Sequence, residues 1–188
     1  MIKSLVEYWK TFPIAIRKFL ISSLILIIVW KCSYYLFLKP NRVLDKPLTS
    51  ITTKATVWLY NSFTNDSLTY YGVLPSNNFS HYSEIVLKEG KKVLSIADPC
   101  NALELMVLYI GFLFCLYTNN KRVLAYIFLG LISIFSINVL RCIGMIWVSL
   151  NQKSWFHFAH HYLFTLVVYS FIFLLWVSYS KSFNKKER

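Results

Sequence analysis

Hydrophobic residues along this chain are gathered into four long runs that short polar segments separate. The runs cover about residues 19–38, 100–118, 123–150 and 161–179. A helix needs about 20 mostly apolar residues to cross a hydrocarbon core of about 30 Å. The pattern therefore predicts an α-helical integral membrane protein with about four transmembrane helices, organised as a single membrane domain over residues 1–188.

The polar segment from about residue 39 to residue 99 carries patterns that are typical of strands. The stretch "EIVLKEGKKVLSIAD" has two short apolar parts around a Glu-Gly-Lys turn, which predicts a hairpin. An earlier stretch, "SITTKATVWLY", is rich in the β-branched and aromatic residues that favour strands. We therefore expect a small β-containing loop between the first and second membrane helices, leading directly into Asp98, Pro99 and Cys100.

Composition and charge support a membrane protein and indicate its orientation. The chain is 56% hydrophobic and only 15% charged, with a net charge of +12. Its basic residues flank the apolar runs, as in membrane proteins, so membrane lipids are expected partners and nucleic acid is not. The positive-inside rule places the basic N-terminal segment, the "NNKR" link and the "KSFNKKER" tail in the cytoplasm. The loop over 39–99 then lies outside.

Unusual polar residues fall at one depth in this topology. Cys100 opens the second predicted helix at its outer end, and His160 and His161 open the fourth. Arg141 follows Val123 by 18 residues, which is about 27 Å along a helix. Residues that are far apart in sequence are therefore expected to meet at the outer membrane boundary.

Each of the charged and amide side chains has a functional and a structural interpretation. A charge such as Arg141 inside an apolar run must be paired or face water, which favours a functional role, although it can also snorkel to the head groups. Asn138 shares its helix face and either holds the guanidinium or joins helices. Glu104 lies one turn after Cys100 and needs a cation, with Arg141 or a histidine as candidates. A purely structural Glu104–Arg141 pair is the alternative.

The thiol and the imidazoles also allow more than one interpretation. A helix N-terminus and a nearby cation both favour a reactive thiolate at Cys100. Alternatively, Cys100 is inert or forms a disulfide with Cys142. The cluster of His157, His160 and His161 suits acid–base chemistry. It is also a possible metal site, but it lacks the carboxylate of an HExxH motif, and we expect no metal and no other cofactor.

Three strips of sequence resemble the exosortase/archaeosortase family: "CNALELM", "INVLRCIGM" and "HHYLFTLVVYSFIFLLW". The resemblance covers roughly residues 85–180. Members of that family are understood as membrane-embedded cysteine transpeptidases. They act on exported proteins whose C-terminal sorting signal consists of a short motif, a transmembrane helix and a basic end. Two departures stand out: many members carry about eight spans, and many have glycine where this chain has Ala102.

The resemblance implies a peptidase or transpeptidase that cleaves sorting signals at the outer face of the bacterial cytoplasmic membrane. Cys100 would be the nucleophile, Arg141 the family's arginine, and His160 or His161 its histidine. The supporting residues would be Glu104, Asn138 and Asn101. Two other functions stay open: a non-catalytic membrane assembly or transporter accessory subunit, and a lipid-modifying enzyme that uses the same thiol for acyl transfer.

Overall fold

The computed structural model describes residues 12–64, 67–74, 82–115 and 123–184. In these residues, five helices carry a three-stranded antiparallel sheet at one end, which we term the sheet end. Helix α1 comprises Ile14–Ser33, a π-helical turn Tyr34–Leu38 and Lys39–Asn41; α2 is Asp45–Thr64, α3 is Leu103–Cys115, α4 is Val123–Asn151, and α5 comprises Phe156–Phe158, a π-helical turn Ala159–Leu163 and Phe164–Asn184. The strands are β1 (Leu68–Val73), β2 (Ser83–Lys88) and β3 (Lys91–Ala97).

Among the described residues, three stretches of helix are long and apolar enough to cross a membrane: Ile16–Asn41, Val123–Asn151 and Lys153–Lys181. They coincide with the first, third and fourth predicted runs. The second run differs, because the described part of α3 has only 13 residues. That length corresponds to about 20 Å, which is less than the thickness of a bilayer core. The predicted end of this run near residue 118 lies outside the described residues. A fourth membrane-spanning helix is therefore not established.

The predicted hairpin is confirmed. Strands β2 and β3 pair antiparallel, and Lys88 lies opposite Lys91. The two turn residues between them, Glu89 and Gly90, have φ values of 51° and 75°. Two successive positive φ values are what a two-residue type I′ hairpin turn requires. Strand β1 pairs with the other edge of β2, so the sheet order is β1-β2-β3.

The strand-like stretch "SITTKATVWLY" is not a strand, since it lies within α2. Thr49, Thr52, Thr53 and Thr56 are fully buried, and their spacing places them on one helix face. The hydroxyls of Thr53 and Thr56 donate to the carbonyls four residues earlier, at 3.0 and 2.8 Å. These local bonds satisfy two buried hydroxyls without a strand partner. Burial of the threonine face thus overrides the β propensity of its residues.

Helix α4 joins two packed clusters. At the sheet end its buried residues pack with α2 and the sheet, in a cluster that contains Val57, Tyr60, Leu68, Val86, Val93, Leu94, Ile96, Cys142, Met145, Ile146, Val148 and Ala159. Further along, Ile134 packs with Tyr109 and Leu113 of α3 and with Tyr179 of α5. The segment of α4 between Ile134 and Cys142 is therefore held from both sides. That segment carries Asn138 and Arg141.

A close contact between α4 and α5 lies one turn away from Arg141 on α4 and from His160 on α5. A Cβ atom on Gly144 would overlap the ring of Phe164, so only glycine allows the helices to approach this closely. Gly144 follows Arg141 by one turn, and Phe164 follows His160 by about one turn. The contact thus brings the arginine of α4 towards the histidines of α5.

Candidate active site

Cys100 closes a 3₁₀ turn, Asp98–Cys100, between β3 and α3. Helix α3 begins at Leu103, so the predicted helix start at Cys100 is three residues too early. The reason is local: the side-chain oxygen of Asn101 accepts a hydrogen bond from the Leu103 N–H at 2.9 Å, and Ala102 adopts a φ of 65°. Cys100 therefore lies ahead of the helix, with its side chain partly buried.

Ala102 is a residue with a side chain in a left-handed backbone conformation. This conformation costs a non-glycine residue about 1–2 kcal/mol, whereas glycine adopts it freely. The structure thus gives a physical reason for the glycine that resembling proteins carry at this point. In this chain the Ala102 methyl group is buried in the cluster of Tyr109 and Ile134, and that packing offsets part of the backbone cost.

Asn138 connects Cys100 to Arg141. Its side chain is fully buried, and its Nδ2 donates to the Cys100 carbonyl at 3.1 Å. Its Oδ1 lies 3.5 Å from Nη1 of Arg141, at the long limit of a hydrogen bond. Asn138 therefore joins α4 to the Cys100 turn and lies next to the guanidinium.

The guanidinium of Arg141 keeps an unused donor. Its Nε is buried and has no hydrogen-bond partner among the described residues. An unmatched buried donor costs about 1–3 kcal/mol, and buried polar groups are nearly always satisfied. A buried N–H of this kind, linked to Cys100 through Asn138, can donate a hydrogen bond to an oxygen of a bound ligand.

The histidines lie on and beside the π-helical turn Ala159–Leu163 of α5. The ring of His161 lies 4.4 Å from that of His157 and 4.8 Å from that of His160. His160 is partly buried and His161 is exposed. The charges of Arg141, His161 and His157 all act on His160. The structure thus places His160 within electrostatic range of Arg141.

Neither a disulfide nor a metal cluster is present in the described part of the chain. The four cysteines are all free: Cys32, Cys100, Cys115 and Cys142. The thiol of Cys142 is buried, and Cys100 and Arg141 lie within electrostatic range of it. No group of three or more His, Cys, Asp and Glu side chains in the described residues is arranged to hold a metal ion.

Glu104 does not pair with Arg141 or with a histidine. Its Oε1 lies 2.6 Å from Nζ of Lys31 on α1, and the two side chains are 57% and 42% exposed. The expected pairing assumed one continuous helix from Cys100 to Glu104, whereas the 3₁₀ turn and the left-handed Ala102 interrupt it. Glu104 consequently faces α1, and the charge of Arg141 is not balanced by it.

A polar clamp that the sequence interpretation missed holds the turn from the opposite side. Arg42 donates through Nε and Nη2 to both oxygens of Asp98, each at 2.8 Å. The Thr49 hydroxyl also donates to Asp98 at 2.8 Å. The hydrogen bond to Asp98 raises the pKa of Arg42, and its guanidinium carbon lies 3.6 Å from the ring centre of Tyr82. The clamp fixes the first residue of the turn that ends in Cys100.

The next residue after the nucleophile candidate is held by a second set of bonds. Asn101 is 1% exposed and Asp45 is 2% exposed. Asn101 Nδ2 donates to Asp45 at 3.0 Å and to Thr49 at 3.2 Å, while the Tyr34 hydroxyl donates to Asp45 at 2.9 Å. The supporting position of Asn101 is thus structural. The sequence did contain a signal for this hydrogen-bond network. The chain has only eight acidic residues, and Asp45 and Asp98 are two of them.

The clamp leads to a stability prediction. We expect Asp98→Asn to lower the free energy of unfolding by about 1–3 kcal/mol, because it leaves the half-buried Arg42 guanidinium without its carboxylate. Glu104→Gln removes an ion pair of the same type that is much more exposed, and we expect a loss below about 1 kcal/mol. Unfolding of the purified protein in detergent measures both values. Equal losses in the two variants would show that the clamp does not hold the turn.

Comparison with known proteins gives one match. A family model described as transmembrane exosortase (Exosortase_EpsH) matches residues 13–177, which is well over half of the 188 residues. The matched range includes the turn with Cys100, the polar segment of α4 and the histidines of α5. Neither the curated proteins nor the solved structures contain a match.

Proposed function

The chain belongs to the transmembrane exosortase family, and from this premise we propose that it is a membrane cysteine transpeptidase in which Cys100 is the nucleophile. Its substrates are exported proteins that end in a short motif, a transmembrane helix and a basic tail. Family membership supports the reaction class. The residue roles below rest on the geometry of the sheet end and on the resemblance of the three sequence strips.

The observation that carries the proposal is the meeting of three separate elements around one backbone segment. The carbonyl of Cys100 accepts a hydrogen bond from Asn138, Asn138 lies beside Arg141, and Arg141 acts on His160. A thiol, a cation and an imidazole are the groups that acyl transfer through a thioester requires. A purely structural pairing of Arg141 would instead fill its donors, yet its Nε lacks a partner in the described part of the chain.

In the first step the Cys100 thiolate attacks the carbonyl carbon of the scissile peptide bond. A bond forms between sulfur and carbon, and the carbonyl oxygen gains the negative charge. Arg141 stabilises this oxyanion through its free Nε–H, because a charge-assisted hydrogen bond in a buried site is stronger than one in water. The donor is in place before the reaction, so little reorganisation is needed when the charge develops.

In the second step the tetrahedral intermediate collapses and the carbon–nitrogen bond breaks. His160 carries the proton released when the Cys100 thiol became a thiolate, and it donates this proton to the leaving amine. The acyl part of the substrate remains attached to Cys100 as a thioester. His160, now neutral, then takes a proton from the incoming nucleophile, which is water in hydrolysis or another acceptor in transfer. The nucleophile replaces sulfur at the carbonyl carbon and restores the thiolate.

The orientation follows from the distribution of basic residues. We place the chain in the bacterial cytoplasmic membrane with both termini in the cytoplasm, because the flanking segments at both ends are rich in Lys and Arg. This placement requires an even number of crossings, so the proposal includes a crossing by the predicted run over 100–118, which contains α3. The sheet end then faces the extracytoplasmic side. There it would meet exported proteins that remain tethered by their C-terminal helix, and no cofactor is needed for the reaction.

The test is mass spectrometry of Cys100 after trapping. The protein is co-expressed with an exported protein that ends in an apolar helix and a basic tail, quenched in acid and digested. We expect a substrate-derived acyl group on the peptide with Cys100 and none on the peptide with Cys142. A fatty acyl group instead would support the lipid-modifying enzyme. An unmodified Cys100 during ongoing processing would remove the covalent mechanism.

A further inference from the structure

A cavity of about 210 Å³ lies on the side of the Cys100 turn that faces α1. Its walls come from the last turns of α1, from Asp45 at the start of α2, and from the turn and first residues of α3. This volume lies just below the usual range for small-molecule pockets, about 300–1,000 Å³. It is therefore large enough for a small polar group but not for a folded peptide segment.

The charges around the cavity are of both signs, and two of them are unpaired. Glu104 and Lys31 form one ion pair on the wall. In the described part of the chain, no ion pair joins Lys39 or Asp45 to another residue. The Lys39 ammonium lies 4.7 Å from the ring centre of Tyr35, a contact that leaves its charge uncompensated. The cavity thus presents one cation, Lys39, and one anion, Asp45, that belong to no ion pair within the described residues.

Asp45 is the stronger indication of a ligand. It is 2% exposed and lines the cavity. Its two hydrogen bonds come from the neutral groups of Tyr34 and Asn101. A carboxylate has about four acceptor positions, so acceptor capacity remains. The Arg42 charge acts on Asp45, but the direct ion pair of Arg42 is with Asp98. A buried carboxylate is costly without a paired cation, and an ammonium group of a ligand would give Asp45 a direct ionic partner.

The cavity lies where lipid head groups are expected. Trp30, Tyr34 and Tyr35 surround it, and such aromatic residues concentrate at the boundary between membrane and water. They lie towards the end of the membrane-spanning stretch Ile16–Asn41. The neighbouring Leu36 and Phe37 are 68% and 69% exposed, which is expected for a surface that contacts lipid tails.

We propose that this cavity binds the head group of an aminophospholipid of the ethanolamine type. The Lys39 ammonium takes the phosphate, with Lys31 close by, and Asp45 takes the primary ammonium. A lipid fits better than a soluble zwitterion because the exposed apolar residues beside the cavity can hold its chains. The inference concerns binding alone and does not depend on the chemistry of Cys100. Since Asp45 also holds Asn101, the head group would contact the support of the Cys100 turn.

The experiment is native mass spectrometry of the delipidated full-length protein, made in a Cys100→Ala background so that binding is measured without catalysis. The probes are phosphatidylethanolamine, phosphatidylglycerol and phosphatidylcholine with identical chains. We expect phosphatidylethanolamine to bind about tenfold more tightly than the other two, because only its primary ammonium can donate to Asp45. Lys39→Gln should weaken binding about tenfold. Lys54→Gln is the matched control, because Lys54 is exposed on α2 and does not line the cavity.

Two further comparisons keep the proposal falsifiable. Asp45→Asn should remove the preference for phosphatidylethanolamine over phosphatidylglycerol. If this variant does not fold, the proposal is tested by comparing the lipid binding of Lys39→Gln with that of Lys54→Gln. Soluble glycerophosphoethanolamine should compete only weakly, because it lacks acyl chains. Equal binding of the three lipids, no effect of Lys39→Gln, or competition by the soluble head group as strong as by the lipid would each overturn the proposal.

Discussion

Cys100→Ala is expected to lower the rate of sorting-signal cleavage by roughly 10⁴-fold or more, since loss of a catalytic nucleophile typically costs that much. The change removes only the sulfur. Asn138 donates to the backbone carbonyl of residue 100, so its bond to the turn persists in the variant, as does the Arg42–Asp98 clamp. The expected loss is therefore one of chemistry and not of folding. The ratio of processed to unprocessed substrate, measured over time in membranes, gives the rate.

Two other cysteines provide matched controls for this result. Cys32 is exposed on α1, and Cys142 is buried on α4 within electrostatic range of Cys100. Cys32→Ala should leave the rate unchanged. Cys142→Ala should change it only a few-fold and lower stability modestly, because it removes a small buried group. Full processing by Cys100→Ala together with loss in Cys142→Ala would move the nucleophile to α4 and overturn the assignment.

His160→Gln should lower the cleavage rate by about 10²–10⁴-fold, the usual contribution of a general acid–base group. His161→Gln should retain the rate to within a few-fold. The two residues are adjacent in sequence, but His160 is partly buried and lies within electrostatic range of Arg141, whereas His161 is exposed. His161→Gln is thus a matched control for His160→Gln, because it makes the same substitution at the adjacent position.

The dependence of the rate on pH separates a catalytic histidine from a structural one. If His160 transfers the proton, His160→Gln should remove one limb of the pH–rate profile, and His161→Gln should leave the profile unchanged. A merely structural role would lower the rate at every pH and keep the shape. A larger effect in His161→Gln than in His160→Gln would reverse the assignment.

The local features of the fold were predictable because their causes are local. Hydropathy depends only on neighbouring residues, so three of the predicted membrane helices coincide with helices of sufficient length. The hairpin followed from its turn residues, Glu89 and Gly90, which can adopt the required backbone angles. By contrast, the helical state of α2 was not predictable from composition. Its threonine face is stabilised by burial against distant parts of the chain.

Glu104 shows why spacing alone did not identify its partner. Residues one turn apart share a face only if the helix between them is continuous. The left-handed backbone at Ala102 interrupts the predicted helix, so Glu104 turns to Lys31, which lies 73 residues earlier in the chain. The backbone conformation of one residue, Ala102, thus directs the Glu104 side chain away from Arg141 and towards α1.

By itself, the sequence determined the membrane character and the hairpin, because both follow from local patterns. It also indicated the polar candidates Cys100, Arg141 and the histidine pair, because each is a polar residue in or at the end of an apolar run. Only the tertiary structure showed that His160 is partly buried with the charge of Arg141 acting on it, and that Asn138 donates to the Cys100 carbonyl while lying 3.5 Å from Arg141. It alone revealed the clamp of Arg42 on Asp98, residues that are 56 positions apart. The physical reason is that such contacts depend on how helices are rotated and how closely they approach, as at Gly144 and Phe164, and no local pattern encodes that geometry.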